Sequence, residues 1–339
     1  MSGPKMKSAV IGCGGIAQVH GAVLGGMAGV EMVAFADTIP QRAQAMADKF
    51  GGRAYASLEG LLDQESPDVV HLCTPHYLHT PMARACAERG IHVFTEKPPV
   101  ISWGQWQEFS ALQDTVRVGV CFQNRYNRSV RLFQELLESG RPGRLLGARA
   151  FVTWRREAPY YTESGWRGKL RTEGGGALIN QSIHTLDLLV QFFGRADGAE
   201  ASLCNRHLKG VIEVEDTLEA AIDFGGRTAL FYATTNHCTD APVLLELVCE
   251  SCTMRMEEEH VSLYWADGTV EHRTLPPTGG TATGGKSYWG HSHGLCIGDF
   301  YRCVREGAPF PNDIPGVRDT IELMLRIYDS ANANVTLDL

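Results

Sequence analysis

At 339 residues, with 44% apolar and 21% charged residues, the chain has the composition of a soluble globular protein and is long enough for two domains. Its 31 basic and 39 acidic residues give a net charge of −8 with no lysine or arginine stripe, which argues against nucleic acid as a partner. No run approaches the roughly eighteen apolar residues of a membrane span, no signal-length segment precedes the first strand, and the ten cysteines are scattered through apolar segments (Cys73, Cys86, Cys121, Cys204), so the expected compartment is the reducing cytoplasm.

The first third alternates strand and helix. Apolar runs at 8–11, 31–36, 69–73, 92–95 and 116–121 have the length of buried parallel strands. Helical patterns lie between them, as at 39–50 and at 81–89, the latter stopped by Gly90. This predicts a doubly wound parallel sheet built from right-handed βαβ units. After about residue 123 the rhythm changes to a helix over 130–137, a strand over 145–154, an aromatic and charged stretch, and a helix over 177–193. Residues 199–265 read as successive strands with turns at Gly225-Gly226 and Asp267-Gly268, predicting an open, mostly antiparallel sheet in a second, α+β domain. A glycine-rich stretch over 276–286 has the length of a lid, and two helices, around 294–306 and 317–331, close the chain. The expected domains are 1–122 and 123–339, with the last helix able to pack back on the first.

Gly12, Gly14, Gly15, Ile16 and Ala17 follow the first strand and open a helix, in the GxGxxA spacing that lets backbone approach a pyrophosphate. Asp37 closes the second strand, where a carboxylate accepts from ribose hydroxyls and repels a 2′-phosphate; this favours NAD over NADP, although Arg42 is placed to reach a phosphate. The plainer reading of Asp37 is a helix cap. Thr74 and Pro75 follow the strand over 69–73, on the edge where the nicotinamide half would lie. For His76 and His79, helix-start residues and cofactor contacts are equally good readings.

Thr95-Glu96-Lys97-Pro98 ends the strand over 92–95. Alternation puts Glu96 and Lys97 on opposite faces, so Lys97 points to the crevice if Glu96 points into the fold. A lysine in a dry pocket passes protons more readily; a surface strand-end lysine is the competing reading. On the helix over 177–193, Asn180, His184, Asp187 and Gln191 fall on one face of an otherwise apolar helix. That stripe is either a solvent face or a cavity wall, and three preceding glycines favour the cavity.

The Gly12-x-Gly14-x-x-Ala17 turn, Glu96-Lys97-Pro98, Gln123-Asn124-Arg125-Tyr126-Asn127 and the 174–187 helix together resemble the Gfo/Idh/MocA oxidoreductases over nearly the whole chain. The resemblance implies an N-terminal Rossmann domain, a C-terminal domain used for oligomerisation as a homodimer or homotetramer, and NAD(P)-linked chemistry at a sugar or cyclitol carbon. It matches Lys97 and His184 to the family's catalytic lysine and histidine, with Glu96 beside the cofactor. Asn180 stands where many members carry aspartate, which implies orientation of a hydroxyl by hydrogen bonding. Asn124, Arg125, Tyr126, Tyr160, Tyr161, Trp166 and Arg167 fall among the substrate contacts. His293, in the segment 288–293, is read either there or as part of a stretch docking on the core. Metal is not expected: Cys249-x-x-Cys252 has no second pair, and His291-x-His293 with Cys296 is too sparse. Two other functions stay open, a redox-neutral NAD-dependent glycoside-cleaving enzyme and a sugar or NAD sensor without chemistry.

Overall fold

The computed structural model describes residues 4–276 and 292–333. Within them the chain divides into two compact units, Met1–Gln123 with Gly279–Val317, and Asn124–Thr278 with Arg318–Leu339.

The first unit is built on six parallel strands: β1 (Met6–Ile11), β2 (Val30–Ala36), β3 (Arg53–Tyr55), β4 (Val69–Leu72), β5 (His92–Thr95) and β6 (Val118–Val120). Their order, β3-β2-β1-β4-β5-β6, is that of the doubly wound dinucleotide-binding sheet. Ala9, Val10, Val70, Leu72, Val93 and Phe94 are fully buried, as strands covered by helices on both faces require. Ser57 and Ser102 cap the helices Leu58–Gln64 and Trp103–Ser110 through the N–H groups of Gly60 and Gln105. The last predicted strand is shorter than expected, spanning Val118–Val120, and its Val120 N–H donates to the Asn312 carbonyl.

Where the sequence reading divides the chain at 122/123 into two contiguous stretches, the first unit also takes in a late segment. Its helix, His293–Glu306, brings Phe300 against Phe94, with ring centroids 5.2 Å apart. Gly119 makes room for it: a Cβ there would fall 2.6 Å from the Phe300 ring. The glycine-rich stretch read as a lid, from 277 on, lies outside the described residues, as do Tyr288, Trp289 and His291.

The second unit carries an eight-stranded sheet of β7 (Leu145–Thr153), β8 (Gly198–Cys204), β9 (Thr217–Asp223), β10 (Thr228–Thr234), β11 (Leu244–Cys249), β12 (Cys252–Glu257), β13 (His260–Trp265) and β14 (Val270–Thr274). The order is β14-β13-β12-β11-β7-β10-β9-β8, antiparallel except for the β7–β10 pair. Alternation splits its faces: Ala148, Phe231, Leu247, Met254 and Leu263 are buried, while Leu230, Val248 and Tyr264 are exposed. The expected hairpin turns are present, with Gly225, Gly226 and Gly268 at positive φ.

The predicted helix over 177–193 opens differently. Ala177–Ser182 is a wide π turn, and regular α-helix runs only from Ile183 to Phe193. The glycines before it serve the protein's own packing. A Cβ on Gly175 would fall 1.8 Å from the Tyr328 hydroxyl, and one on Gly176 2.0 Å from the Glu215 carbonyl.

Candidate active site

Two glycine roles are separated at the first turn. Gly12 has φ +83°, and a Cβ there would fall 2.6 Å from the Cys73 carbonyl, so it lets β1 and β4 close on each other. Gly14 and Gly15 have open space where a side chain would be. They start the helix Gly15–Gly25, whose Gly14 cap lends no side chain to the first N–H groups. Open space over a helix N-terminus is what a pyrophosphate needs, so the residues present fit a dinucleotide. Ile16 and the buried Ala17 complete the first turn. Gly12→Ala should therefore cost about 3 kcal/mol of stability or more from clash and backbone strain, whereas Gly14→Ala should fold normally and weaken NADH binding about tenfold or more. Urea unfolding and a fluorescence titration with NADH distinguish the two.

Contrary to its plainer reading, Asp37 does not cap the helix Pro40–Phe50, whose N-cap is Ile39 with no side-chain cap; it bonds the two neighbouring turns and keeps room for a ribose. Its Oδ2 accepts from the Cys13 N–H at 2.7 Å and its Oδ1 from the Ile39 N–H at 2.8 Å, leaving lone pairs on both oxygens. Burial first, then the Asp37 charge, push the Cys13 thiol up to about 12 against the opposing charge of Arg42, which is itself exposed.

At the neighbouring strand ends, Thr74 and Pro75 are half-buried and His76 is buried. His79 is fully buried, its Nδ1 2.7 Å from the Pro98 carbonyl and its Nε2 2.8 Å from the Thr74 carbonyl. Burial lowers its pKa, and a neutral ring donates to one of these carbonyls at a time. His79 is thus packed between the turn after β4 and the turn after β5.

Glu96 does point into the fold. Its carboxylate meets His20 Nε2 at 3.0 Å; His20 Nδ1 meets His71 Nδ1 at 2.8 Å, His71 Nε2 meets the Tyr301 hydroxyl at 2.9 Å, and that hydroxyl meets Ser8 Oγ at 2.6 Å. Burial would raise the Glu96 carboxyl, but the hydrogen bond and charge of His20, with the charges of His293 and Lys97, hold it well below the carboxylate range. Burial, with the charge of His20 added, holds His71 well below its ordinary value. Lys97, joined to Pro98 by a cis peptide, is half-buried beside this chain of groups. His293 stands here too, its ring 6.4 Å from that of His20. Sequence reasoning assigned nothing to His20, His71 or Tyr301; the available signal was a histidine inside the apolar helix GIAQVHGAVLG.

His20, Glu96 and Cys121 also bring metal-ligand atoms within 4.8 Å of one another, a cluster that the sequence reading did not single out. Both His20 nitrogens are engaged by Glu96 and His71. Burial, the neighbouring Cys296 and the Glu96 charge hold the Cys121 thiol proton on, which opposes thiolate ligation. The trio reads as a hydrogen-bonded cluster that anchors the end of β5.

In the second unit the expected substrate residues fall into two groups. Arg125 is buried and bonds bidentately to Asp187, with Nε 2.8 Å from Oδ2, and Asp187 also accepts from the Thr320 hydroxyl at 2.7 Å. Arg125 is therefore committed inside the unit, and Asp187 is not part of an open polar stripe. Asn124 and Tyr126 are buried near it in the sequence, and the Arg131 guanidinium lies 5.2 Å from the Tyr126 ring. Tyr161 is likewise core, packed with Leu208, Ile212 and Val214.

The other group is half-buried. The Arg167 guanidinium lies over the rings of Tyr160 (4.4 Å) and Trp166 (4.9 Å), and the Tyr160 hydroxyl accepts from Gln181 Nε2 at 2.9 Å. Asn180 and His184 sit on the π turn and the α-helix that follows, and Asn180 Nδ2 donates to Glu173. Glu173, fully buried, escaped sequence reasoning; the signal was a carboxylate directly before three glycines. No described helix is long and apolar enough to cross a membrane.

Comparison with known proteins agrees with this architecture. Residues 6–123 match an oxidoreductase family with the NAD-binding Rossmann fold, and residues 130–255 match the GFO/IDH/MocA C-terminal domain. The chain is 32% identical over 206 residues to D-glucoside 3-dehydrogenase of Escherichia coli (strain K12), covering 57% of this chain and 56% of that protein. It is 27% identical over 193 residues to glucose-6-phosphate 3-dehydrogenase of Bacillus subtilis (strain 168), covering 55% and 53%. The chain thus spans about half the length of these curated relatives. Among solved structures, the WlbA dehydrogenase from Bordetella pertussis in complex with NADH and UDP-GlcNAcA is 27% identical, covers 99% of each chain and has a TM-score of 0.82. With an NAD-binding Rossmann unit followed by the characteristic C-terminal domain, the chain belongs to the Gfo/Idh/MocA oxidoreductase family.

Proposed function

We propose that the protein is an NAD(H)-dependent dehydrogenase acting on a secondary alcohol carbon of a sugar, glycoside or cyclitol. The observation that carries this reading is the shared edge of the first sheet. Gly14 and Gly15 open beyond β1, Thr74 and Pro75 beyond β4, and half-buried Lys97 beyond β5, on three adjacent parallel strands. The relatives named above, which act on glucosides and a sugar phosphate by name, support a carbohydrate substrate. Bound nicotinamide supplies the hydride donor or acceptor. Lys97 and His184 hold and pass the hydroxyl proton, Asn180 orients a substrate hydroxyl, and Tyr160, Trp166 and Arg167 offer the aromatic and hydrogen-bonding surface that a sugar ring requires.

The test is to mix the protein with NAD⁺ and a panel of sugars, glycosides, cyclitols and sugar nucleotides, following NADH absorbance. A substrate-dependent rise supports the reading. A flat trace, with NAD found bound to the protein as isolated, replaces it with the redox-neutral glycoside enzyme.

Asp37 supports NAD over NADP, since its charge lies on the glycine turn itself. Asp37→Ala should loosen NADH binding, because two N–H groups lose their acceptor, and should tighten NADPH relative to NADH by about tenfold or more. Equal losses for both cofactors, measured by titration, would remove Asp37 from that role.

The exposed sheet face, with Leu230, Val248, Tyr264 and the Arg149–Glu246 ion pair, supports assembly as a homodimer or homotetramer. Sedimentation of a monomer at micromolar concentration would count against it.

A further inference from the structure

We propose that Glu173 is a positioning residue for the substrate, setting which end of the Asn180 amide a substrate hydroxyl meets. The inference rests on the dehydrogenase reading for its kinetic consequences, but the geometry stands by itself. Glu173 ends the short helix Leu170–Glu173 and is 0% exposed. Its Oε2 accepts from the Gly168 N–H and its Oε1 from Asn180 Nδ2. One carboxylate thus joins the loop carrying Trp166 and Arg167 to the π turn carrying Asn180.

An ionised carboxylate has only acceptors, so it selects the NH₂ end of the amide and turns the carbonyl end away. Asn180 is then held as an acceptor for a hydroxyl proton on the side away from Glu173. Protonated Glu173 offers its own O–H and permits the amide to turn over, exchanging donor for acceptor. The groups around Glu173 place that change in the neutral range. Burial is the largest influence and raises the carboxyl to about 7, with the Glu215 charge adding to it; the Gly168 N–H, the Asn180 amide and the Arg167 charge oppose it. Tyr160, Tyr161 and Tyr328 also lie within reach of its charge.

Because the pKa is raised above the ordinary 4.5, the ionised, orienting form prevails above about 7 and is lost as the pH falls through it. Glu173→Gln should raise KM for the sugar about 10- to 100-fold, leave NADH affinity unchanged, and remove the acid limb of kcat/KM near 7. Glu173→Asp, which keeps the charge, should recover part of the loss. Wild-type KM and pH profile in the Gln variant would overturn the proposal.

A second measurement needs neither turnover nor a variant of Glu173. In protein labelled with ¹⁵N-asparagine, the Asn180 side-chain amide signal, identified by its loss in Asn180→Ala, should titrate with a midpoint near 7. An Asn180 signal unmoved between pH 5 and 9 overturns the proposal. If no sugar is oxidised at all, the dehydrogenase reading fails, while the titration still decides the role of Glu173.

Discussion

Replacing Lys97 by alanine is expected to cut turnover by about 10²- to 10⁴-fold, or roughly 3–5 kcal/mol of transition-state stabilisation. The neighbouring residues explain why a lysine at this position is worth so much. Glu96, one residue earlier, is drawn into the core by His20, and Pro98 and Pro99, one and two residues later, are buried, the Pro98 carbonyl 2.7 Å from His79 Nδ1 and the Pro99 carbonyl accepting from the Thr80 hydroxyl. The backbone is therefore held on both sides of a half-buried amine. The amine should lose little mobility when substrate binds, and its removal should leave that scaffold intact. Single-turnover kinetics with NAD⁺ on the substrate found in the panel check this, alongside NADH affinity, which should change less than threefold or so. Turnover that survives the substitution would show that the proton passes elsewhere.

The largest stability effect should come from Asp187. Its carboxylate is 1% exposed and satisfies both the Arg125 guanidinium and the Thr320 hydroxyl. Asp187→Ala strands a buried cation, and such losses cost about 3–5 kcal/mol. At about 2–4 °C per kcal/mol for a domain of this size, the unit should melt roughly 6–20 °C lower. Removing both charges together, as in Arg125→Met with Asp187→Leu, should recover most of that loss, because the pair must offset its own desolvation. Calorimetry on the two variants checks it. A double variant no more stable than the single one would mean that the pair holds local geometry that packing cannot replace.

These two sites also show what was legible beforehand. The Lys97 region was readable because its information is local. His92–Thr95 is a strand as expected, alternation sends Glu96 inward, and the glycine spacing of β1 meets Asp37 at the end of β2. Asp187 was misplaced for a definable reason. A helical wheel assumes 100° per residue throughout, but Ala177–Ser182 is wound wider, and Asp187 is buried on Arg125 while Asn180 is half-buried. The remaining omissions are pairs whose partners lie far apart in the chain. Arg125 meets Asp187 across 62 positions, and His71 meets Tyr301 across 230. No local pattern announces such a contact. Glu173 was missed because a buried carboxylate is worth its desolvation only through donors that one-dimensional reading does not supply.

The Ser8–Tyr301 hydrogen bond spans 293 positions of sequence, nearly the whole length of the chain. A ribosome making this protein releases all six strands of the parallel sheet long before it makes the helix that covers Phe94 and satisfies His71. At about 5–20 residues per second, the interval is on the order of ten seconds or more. Throughout it the nascent sheet carries an uncovered apolar face and a histidine without its final partner. Chaperone demand should therefore concentrate in mid-synthesis, and a gene fragment ending at the last strand should yield aggregate where a fragment carrying the late helix in trans yields fold.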